Sequence, residues 1–378
     1  MKPSLLIYCQ HSLGLGHFVR SLTLAEALTE HFSVTFFNGG PAPQGFNLPD
    51  SIRFEHLPPI RMQEDGSIVG DIDIDQLLAE RRNHMLAVVL ETRATMLVVE
   101  LYPFGRKKFS AEIDPLIDAV RARGGKVACS VRDVLVTARV DQARHDDRAA
   151  QALNRLFDRV LVHTDEKLFA LADSFSPATP LSMPVEHTGY IVRSQPPVAR
   201  VCVDGPTLVA AGGGAVGQAL YRAAVAAQPL LFAAKGWPMT LVAGPLFPDD
   251  DWDDLRAHAI GVPGLTLVRA LPSLASLLSQ AGRFVGQCGY NSALEVCQAR
   301  LPALFVPFAR GQESEQTARA EKLKALGLAD WIPDVGLDAT ALARRILILK
   351  SPQSDADINL NGTKRSAQIL AEMSLCTA

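Results

Sequence analysis

Ten short runs of aliphatic and β-branched residues punctuate the chain, each set off by segments with helical periodicity. This alternation constrains the fold more than any other feature. Five runs lie in the first half, at 5–9, 33–37, 96–100, 126–131 and 159–163, and five in the second, at 207–211, 240–243, 265–268, 283–286 and 303–306. Near-continuous apolar strands are what parallel sheets buried on both faces require, and the helices between them supply the covering layers. Ile113, Leu116, Ile117 and Val120 show the helical spacing and stop before Gly124 and Gly125. Because the series occurs twice, the sequence predicts an α/β protein with two doubly wound domains. Five prolines, at 177, 180, 184, 196 and 197, mark the linker between them. The expected boundaries are 1–190 and 200–350, followed by a tail over 351–378 that turns helical near its end.

A chain of 378 residues is long enough for two such cores. Its net charge of −3 gives no overall basic field for nucleic-acid phosphates, so a nucleic-acid partner is not expected. The six cysteines, at 9, 129, 202, 288, 297 and 376, form no CxxC pair and fall mostly in apolar runs. They read as small hydrophobes in a reducing compartment. The opening MKPSLLIYCQH passes at once into a polar loop, so it reads as a first strand and as neither a signal peptide nor a membrane span. A cytoplasmic globular protein is expected.

In open α/β sheets, ligands bind at the carboxyl ends of the strands. The first such loop contains Gly14, Gly16 and His17 before a helix. The glycines permit a sharp turn and close backbone approach, and the helix start offers unpaired N–H groups to phosphate. An imidazole at its mouth is suited to take a proton from a hydroxyl or from water. A structural turn with a helix-capping histidine is the competing reading. In the second domain, Gly212, Gly213 and Gly214 follow a strand as a candidate phosphate cradle or as a tight packing turn. Asn291 and Ser292 lie at the start of another helix, with Ser292 its expected cap. Glu295, farther along, is placed to accept from ribose hydroxyls or simply to favour the helix dipole. Glu315 and Gln316 follow the next strand, where sugar hydroxyls can be held.

The segment Glu295-Val-Cys-Gln-Ala-Arg-Leu-Pro-Ala-Leu-Phe-Val-Pro-Phe308 resembles the donor-binding signature of GT-B glycosyltransferases of family 28, the peptidoglycan N-acetylglucosaminyltransferase family. The opening Tyr8-Cys-Gln-His-Ser-Leu-Gly-Leu-Gly-His-Phe-Val-Arg20 is similar to a bacterial family of predicted glycosyltransferases. So are Pro103-Phe-Gly-Arg-Lys-Lys-Phe109, Arg132-Asp133 and Glu315-Gln-Thr-Ala-Arg319. The resemblance spans nearly the whole chain. It implies a GT-B fold of two facing Rossmann-like domains with a cleft between them, the tail helix packing back on the first. It further implies metal-independent transfer of a sugar, without a cofactor, from a UDP-sugar to an acceptor hydroxyl on a glycan or lipid-linked molecule. Glu295 would hold the ribose, Glu315 and Gln316 the sugar, and Gly212, Gly213 and Gly214 the phosphates, with His17 as base. Arg20 departs from the family 28 pattern, which has proline there. The Gly-His-x-x-Arg form, followed by Leu22-Thr-Leu-Ala25, also resembles nucleotide-sugar hydrolases of pseudaminic acid synthesis. Transfer and hydrolysis therefore both remain open, as does binding without turnover, against which the intact His17 and Glu295 speak.

Arg106, in the basic segment Phe104-Gly-Arg-Lys-Lys-Phe109, is expected on the acceptor side. That loop suits an acceptor phosphate, weak peripheral contact with anionic lipid at the inner membrane face, or plain solvation. Arg132 and Asp133 read either as acceptor contacts or as a buried mutual ion pair. The acidic runs at 71–75 and 249–254 read as solvated loops, with no metal expected. Asn361-Gly-Thr363 fits a glycosylation sequon, but nothing else in the sequence points to secretion.

Overall fold

The computed structural model describes residues 2–11, 15–41, 48–62, 67–135, 139–193, 202, 204–214, 216–271, 273–308, 315–353 and 357–375. The chain divides into two compact units. The first is built from Met1–Pro43, Leu48–Val192 and Asn359–Ala378, and the bulk of the second is Arg193–Ile358.

In chain order the first unit contains β1 (Ser4–Cys9), α1 (Gly16–Leu28), β2 (Ser33–Asn38), β3 (Ile52–His56), β4 (Arg61–Met62), β5 (Ile68–Val69) and α2 (Ile74–Thr92). β6 (Met96–Glu100), α3 (Ser110–Arg121), β7 (Lys126–Val131), α4 (Gln142–Leu156), β8 (Arg159–Val162) and β9 (Val185–His187) follow. Seven strands form one sheet in the order β3-β2-β1-β6-β7-β8-β9, with every pairing parallel. β4 and β5 make a separate antiparallel ribbon. The sheet is covered on both faces, so Leu5, Leu6, Ile7, Tyr8 and Cys9 of β1 are each at most 1% exposed. Burying a Leu or Ile side chain this fully contributes about 1.5–3 kcal/mol. On α3 the anticipated stripe of Ile113, Leu116, Ile117 and Val120 is buried in the same core.

The second unit runs β10 (Thr207–Ala210), α5 (Gln218–Lys235), β11 (Met239–Val242), α6 (Asp249–Ala259), β12 (Leu265–Val268), α7 (Ala275–Leu278) and β13 (Arg283–Gly286). It continues with α8 (Tyr290–Ala299), β14 (Ala303–Phe305), α9 (Glu315–Ala325), β15 (Asp330–Trp331) and α10 (Ala339–Leu347). Its six strands are all parallel, in the order β12-β11-β10-β13-β14-β15. Tyr221 of α5 ties two strand ends together, its hydroxyl accepting from Ala211 N (2.9 Å) and lying 2.8 Å from Ala243 O. The chain then returns to the first unit as α11 (Gly362–Leu375), which packs on α1 and buries Ala367, Ile369 and Leu370.

All ten apolar runs are strands. The strands the sequence does not announce include β3, β9 and β15, which are edge strands only partly buried and mixed with charged residues. β9 falls inside the proline-rich stretch read as the linker. Among the described residues no helix is long and apolar enough to cross a membrane.

Candidate functional site

Each sheet has one topological switch point, where the strand order reverses and the loops diverge to leave a crevice. In the first unit it lies between β1 and β6, and in the second between β10 and β13.

His17 is the second residue of α1, directly after the loop that leaves β1, and Glu100 is the last residue of β6. The switch point therefore brings together two residues 83 apart in sequence, with His17 Nδ1 2.6 Å from Glu100 Oε1. Arg20, one turn along α1, donates from Nη2 to the same oxygen at 2.5 Å. Arg106 Nη2 stands 3.8 Å from Glu100 Oε2. Burial opposes the charge on Glu100, but His17, Arg20 and Arg106 outweigh it and hold the carboxyl well below its ordinary range. Burial, reinforced by Arg106 and Arg132, lowers His17 to about 4 against the pull of Glu100. His17 is thus neutral at pH 7. Arg20 Nη2, which only donates, also lies 3.3 Å from Nδ1. The ionised carboxylate at 2.6 Å only accepts and is the closer partner, so Nδ1 carries the proton and Nε2 keeps a lone pair. The His17 side chain is 20% exposed, so the imidazole has access to solvent.

Beyond β6 the backbone is left-handed at two non-glycine residues, Leu101 (φ 61°) and Arg106 (φ 60°). Each such conformation costs about 1–3 kcal/mol and persists where surrounding contacts enforce it. The loop turns both aromatics inward: Phe104 packs edge-on against Phe175 at 4.8 Å, and Phe109 lies in the core. Of this segment Lys107 and Lys108 alone are exposed, so its surface is cationic and not aromatic. Arg132, partly buried, bears on the titration of His17 from the loop after β7. Asp133 is buried and accepts from Val134 N at 3.0 Å. Gly16 opens α1 and is exposed, whereas Gly14 lies outside the described residues.

At the second switch point the three glycines separate by role. Gly212 is left-handed (φ 57°) and exposed, with open space where a Cβ would sit. Gly213 accepts from Leu246 N at 2.8 Å. Gly214 (φ 87°) is buried, donates to Ala211 O, and a Cβ there would lie 2.2 Å from Ala243 O. Packing alone accounts for Gly214, which leaves Gly212 and Gly213 facing outward. The helix does not begin at these glycines but at Gln218, after an N-cap at Gly217. Across the switch point, α8 starts at Tyr290 with Gly289 as its N-cap, so Asn291 and Ser292 are its second and third residues. Ser292 is therefore not the cap: extended Gly289 takes that position, and Ser292 is buried within the first turn. Glu295 is only partly accessible, and burial pushes its carboxyl up to about 7 against the pull of Arg193. Glu315 and Gln316 open α9, and Gln316 Oε1 accepts from Phe308 N at 3.1 Å. Arg319 of the same helix is 1% exposed and donates to Cys288 O, joining α9 to the loop before α8.

No family model matches the chain. It is 24% identical over 247 residues to the UDP-N-acetylglucosamine--N-acetylmuramyl-(pentapeptide) pyrophosphoryl-undecaprenol N-acetylglucosamine transferase of Lactococcus lactis subsp. cremoris, covering 64% of this chain and 66% of that one. To the protein of the same name from Cupriavidus pinatubonensis it is 30% identical over 223 residues, or 54% and 61% of the two chains. The chain thus spans just under two thirds of the length of these curated relatives. In structure it is similar to Acinetobacter baumannii MurG (TM-score 0.52, 16% identity, 99% of this chain and 94% of that one). It is likewise similar to a UDP-glucosyltransferase from Polygonum tinctorium (TM-score 0.60, 16% identity, 100% and 94%). The fold is GT-B. In sequence the chain resembles family 28 of the GT-B glycosyltransferases.

Three residues around the switch point of the first unit escape a reading of the sequence. Glu100 is signalled only as a lone acid closing an apolar strand, and Arg20 only as a departure from the family 28 pattern. Arg81 of α2 gives no signal. Fully buried, it pairs with Glu112 of α3 (2.7 Å) and donates to Gln10 Oε1 (2.7 Å), bracing the stem of the first loop. The two acidic runs prove to be helix starts and not loops. Asp73 caps α2 by accepting from Asp75 N and Gln76 N, while Asp249, Asp250 and Asp251 form the first turn of α6, where carboxylates favour the dipole. Among the described residues no group of three or more His, Cys, Asp or Glu side chains is arranged to hold a metal ion.

Proposed function

We propose that this protein is a glycosyltransferase that moves a sugar from a nucleotide-sugar donor, UDP-linked by resemblance, to the hydroxyl of an acceptor in bacterial glycan or glycolipid synthesis. The observation that carries the reading is the neutral His17 hydrogen-bonded to ionised Glu100 at the switch point of the first unit. His17 Nε2 takes the proton of the acceptor hydroxyl as its oxygen bonds the anomeric carbon and the bond from that carbon to the diphosphate oxygen breaks. On the donor side, Gly212, Gly213 and the start of α8 supply backbone N–H groups and a dipole for the charge that collects on the departing diphosphate. Glu295 accepts from the ribose hydroxyls, and Glu315 and Gln316 hold the sugar. Arg106, Arg132 and Asp133 line the acceptor side.

Calorimetry of UDP with the wild type and Glu295→Ala, in EDTA, tests the donor half. UDP is expected to bind, and the substitution to weaken it by about 1–3 kcal/mol, the cost of losing a charged hydrogen-bond acceptor. If no nucleotide binds, the reading fails. Donor consumption separates transfer from hydrolysis, because a transferase consumes the sugar nucleotide only with an acceptor. Turnover in water alone would favour the hydrolase that Gly16-His17-x-x-Arg20 also resembles. His17→Ala is expected to lower turnover by about 10²–10⁴-fold while UDP affinity is unchanged.

A further inference from the structure

Glu100 Oε1 receives two donors from one helix, His17 Nδ1 at 2.6 Å and Arg20 Nη2 at 2.5 Å, while Oε2 is buried without a hydrogen bond among the described residues and Arg106 stands off at 3.8 Å. Residues 17 and 20 are three apart on α1, so both side chains reach the end of β6 from the same face. We propose that Arg20 is a positioning residue: it clamps Glu100 as an ionised acceptor and so fixes His17 in the tautomer that leaves Nε2 free as base.

The argument is one of proton placement. Glu100 is 1% exposed and Arg20 2% exposed. A carboxylate this deep tends to take up a proton unless a cation touches it. Protonated Glu100 would donate to Nδ1, the imidazole proton would move to Nε2, and Nε2 would no longer accept. Arg20 is the cation that touches the oxygen His17 uses. The charged groups facing His17 are Glu100 from β6, Arg20 from α1 itself, with Nη2 3.3 Å from Nδ1, Arg106 from the loop after β6 and Arg132 from the loop after β7.

The inference rests on His17 being the base, and its test needs no turnover. In the full chain labelled with ¹⁵N-histidine, long-range ¹H–¹⁵N correlations at pH 7 report which ring nitrogen of His17 carries the proton. The wild type is expected to show the Nδ1–H form. Arg20→Met is expected to lose it in favour of Nε2–H or a mixture, with UDP affinity within about twofold of wild type, and Arg20→Lys, which keeps a cationic donor, to retain it. Retention of a single Nδ1–H form in Arg20→Met overturns the proposal. So does its loss in both variants with the fold intact, since packing at position 20 would then set the tautomer. Should Arg20→Met fail to fold, the wild type still decides. A clamped Arg20 guanidinium gives resolved, slowly exchanging Nη resonances, and a freely rotating one overturns the clamp. Turnover indifferent to His17→Ala would defeat the base assignment and leave the nitrogen spectra to judge the clamp on their own.

Discussion

His163, the residue after β8, is fully buried, with Nε2 2.8 Å from Ser130 Oγ and Nδ1 3.0 Å from Thr188 Oγ1. Burial, helped by Arg20, lowers it to about 3, against about 6.5 for an unfolded histidine. Below pH 6.5 the unfolded chain therefore binds a proton that the folded chain refuses, and this part of the stability is lost as pH falls. His163→Gln is expected to flatten the decline of the urea midpoint between pH 6.5 and 4, and an unchanged slope would contradict it. Glu295 titrates with the opposite consequence for ligand. With its carboxyl near 7, its acceptor strength grows as it ionises, so UDP affinity is expected to rise from pH 6 to pH 8 and to lose that rise in Glu295→Gln. His17 and Glu295 are legible in the sequence because each follows an apolar strand and a small-residue turn. Glu100 is not, because its partner is 83 residues away and only the crossing of strands brings them together.

Among elements, the turn after β10 shows how similar letters carry different physics. Gly212→Ala meets open space and only the strain of a left-handed alanine, about 1–2 kcal/mol. Gly214→Ala adds a clash with the carbonyl of Ala243, which is backbone and cannot move aside, so its cost should reach about 3 kcal/mol or more. Urea unfolding of the two variants measures the difference, and equal losses would remove the packing role assigned to Gly214. The same logic explains which strands were legible. Central strands must be apolar throughout because helices cover both faces. β3 and β15, at sheet edges, tolerate Arg53, Glu55 and Asp330, and so lose the signal. Helix starts were misplaced where a glycine took the cap, as at Gly217 and Gly289, for a residue without a side chain leaves no capping signature.

At the scale of the molecule, the repeated strand–helix series made two doubly wound units legible, whereas the strand order of each sheet, which creates the switch points, is written in no local pattern. The first unit is assembled from separated stretches of chain, closed by α11 against α1. A chain ended after residue 358 is expected to bind UDP within about threefold of wild type. The first unit should melt earlier in that chain, because α11, which buries Ile369 and Leu370, no longer packs on α1. Calorimetry with a thermal melt checks both. The discontinuity also sets an order of birth. Residues 359–375 leave the ribosome only after the whole of the second unit, roughly 10–30 s after residue 192 at about 5–20 residues per second. Throughout that interval the helix bearing His17 waits with its α11-facing flank open to neighbouring nascent chains, and its packing is complete only when the tail arrives.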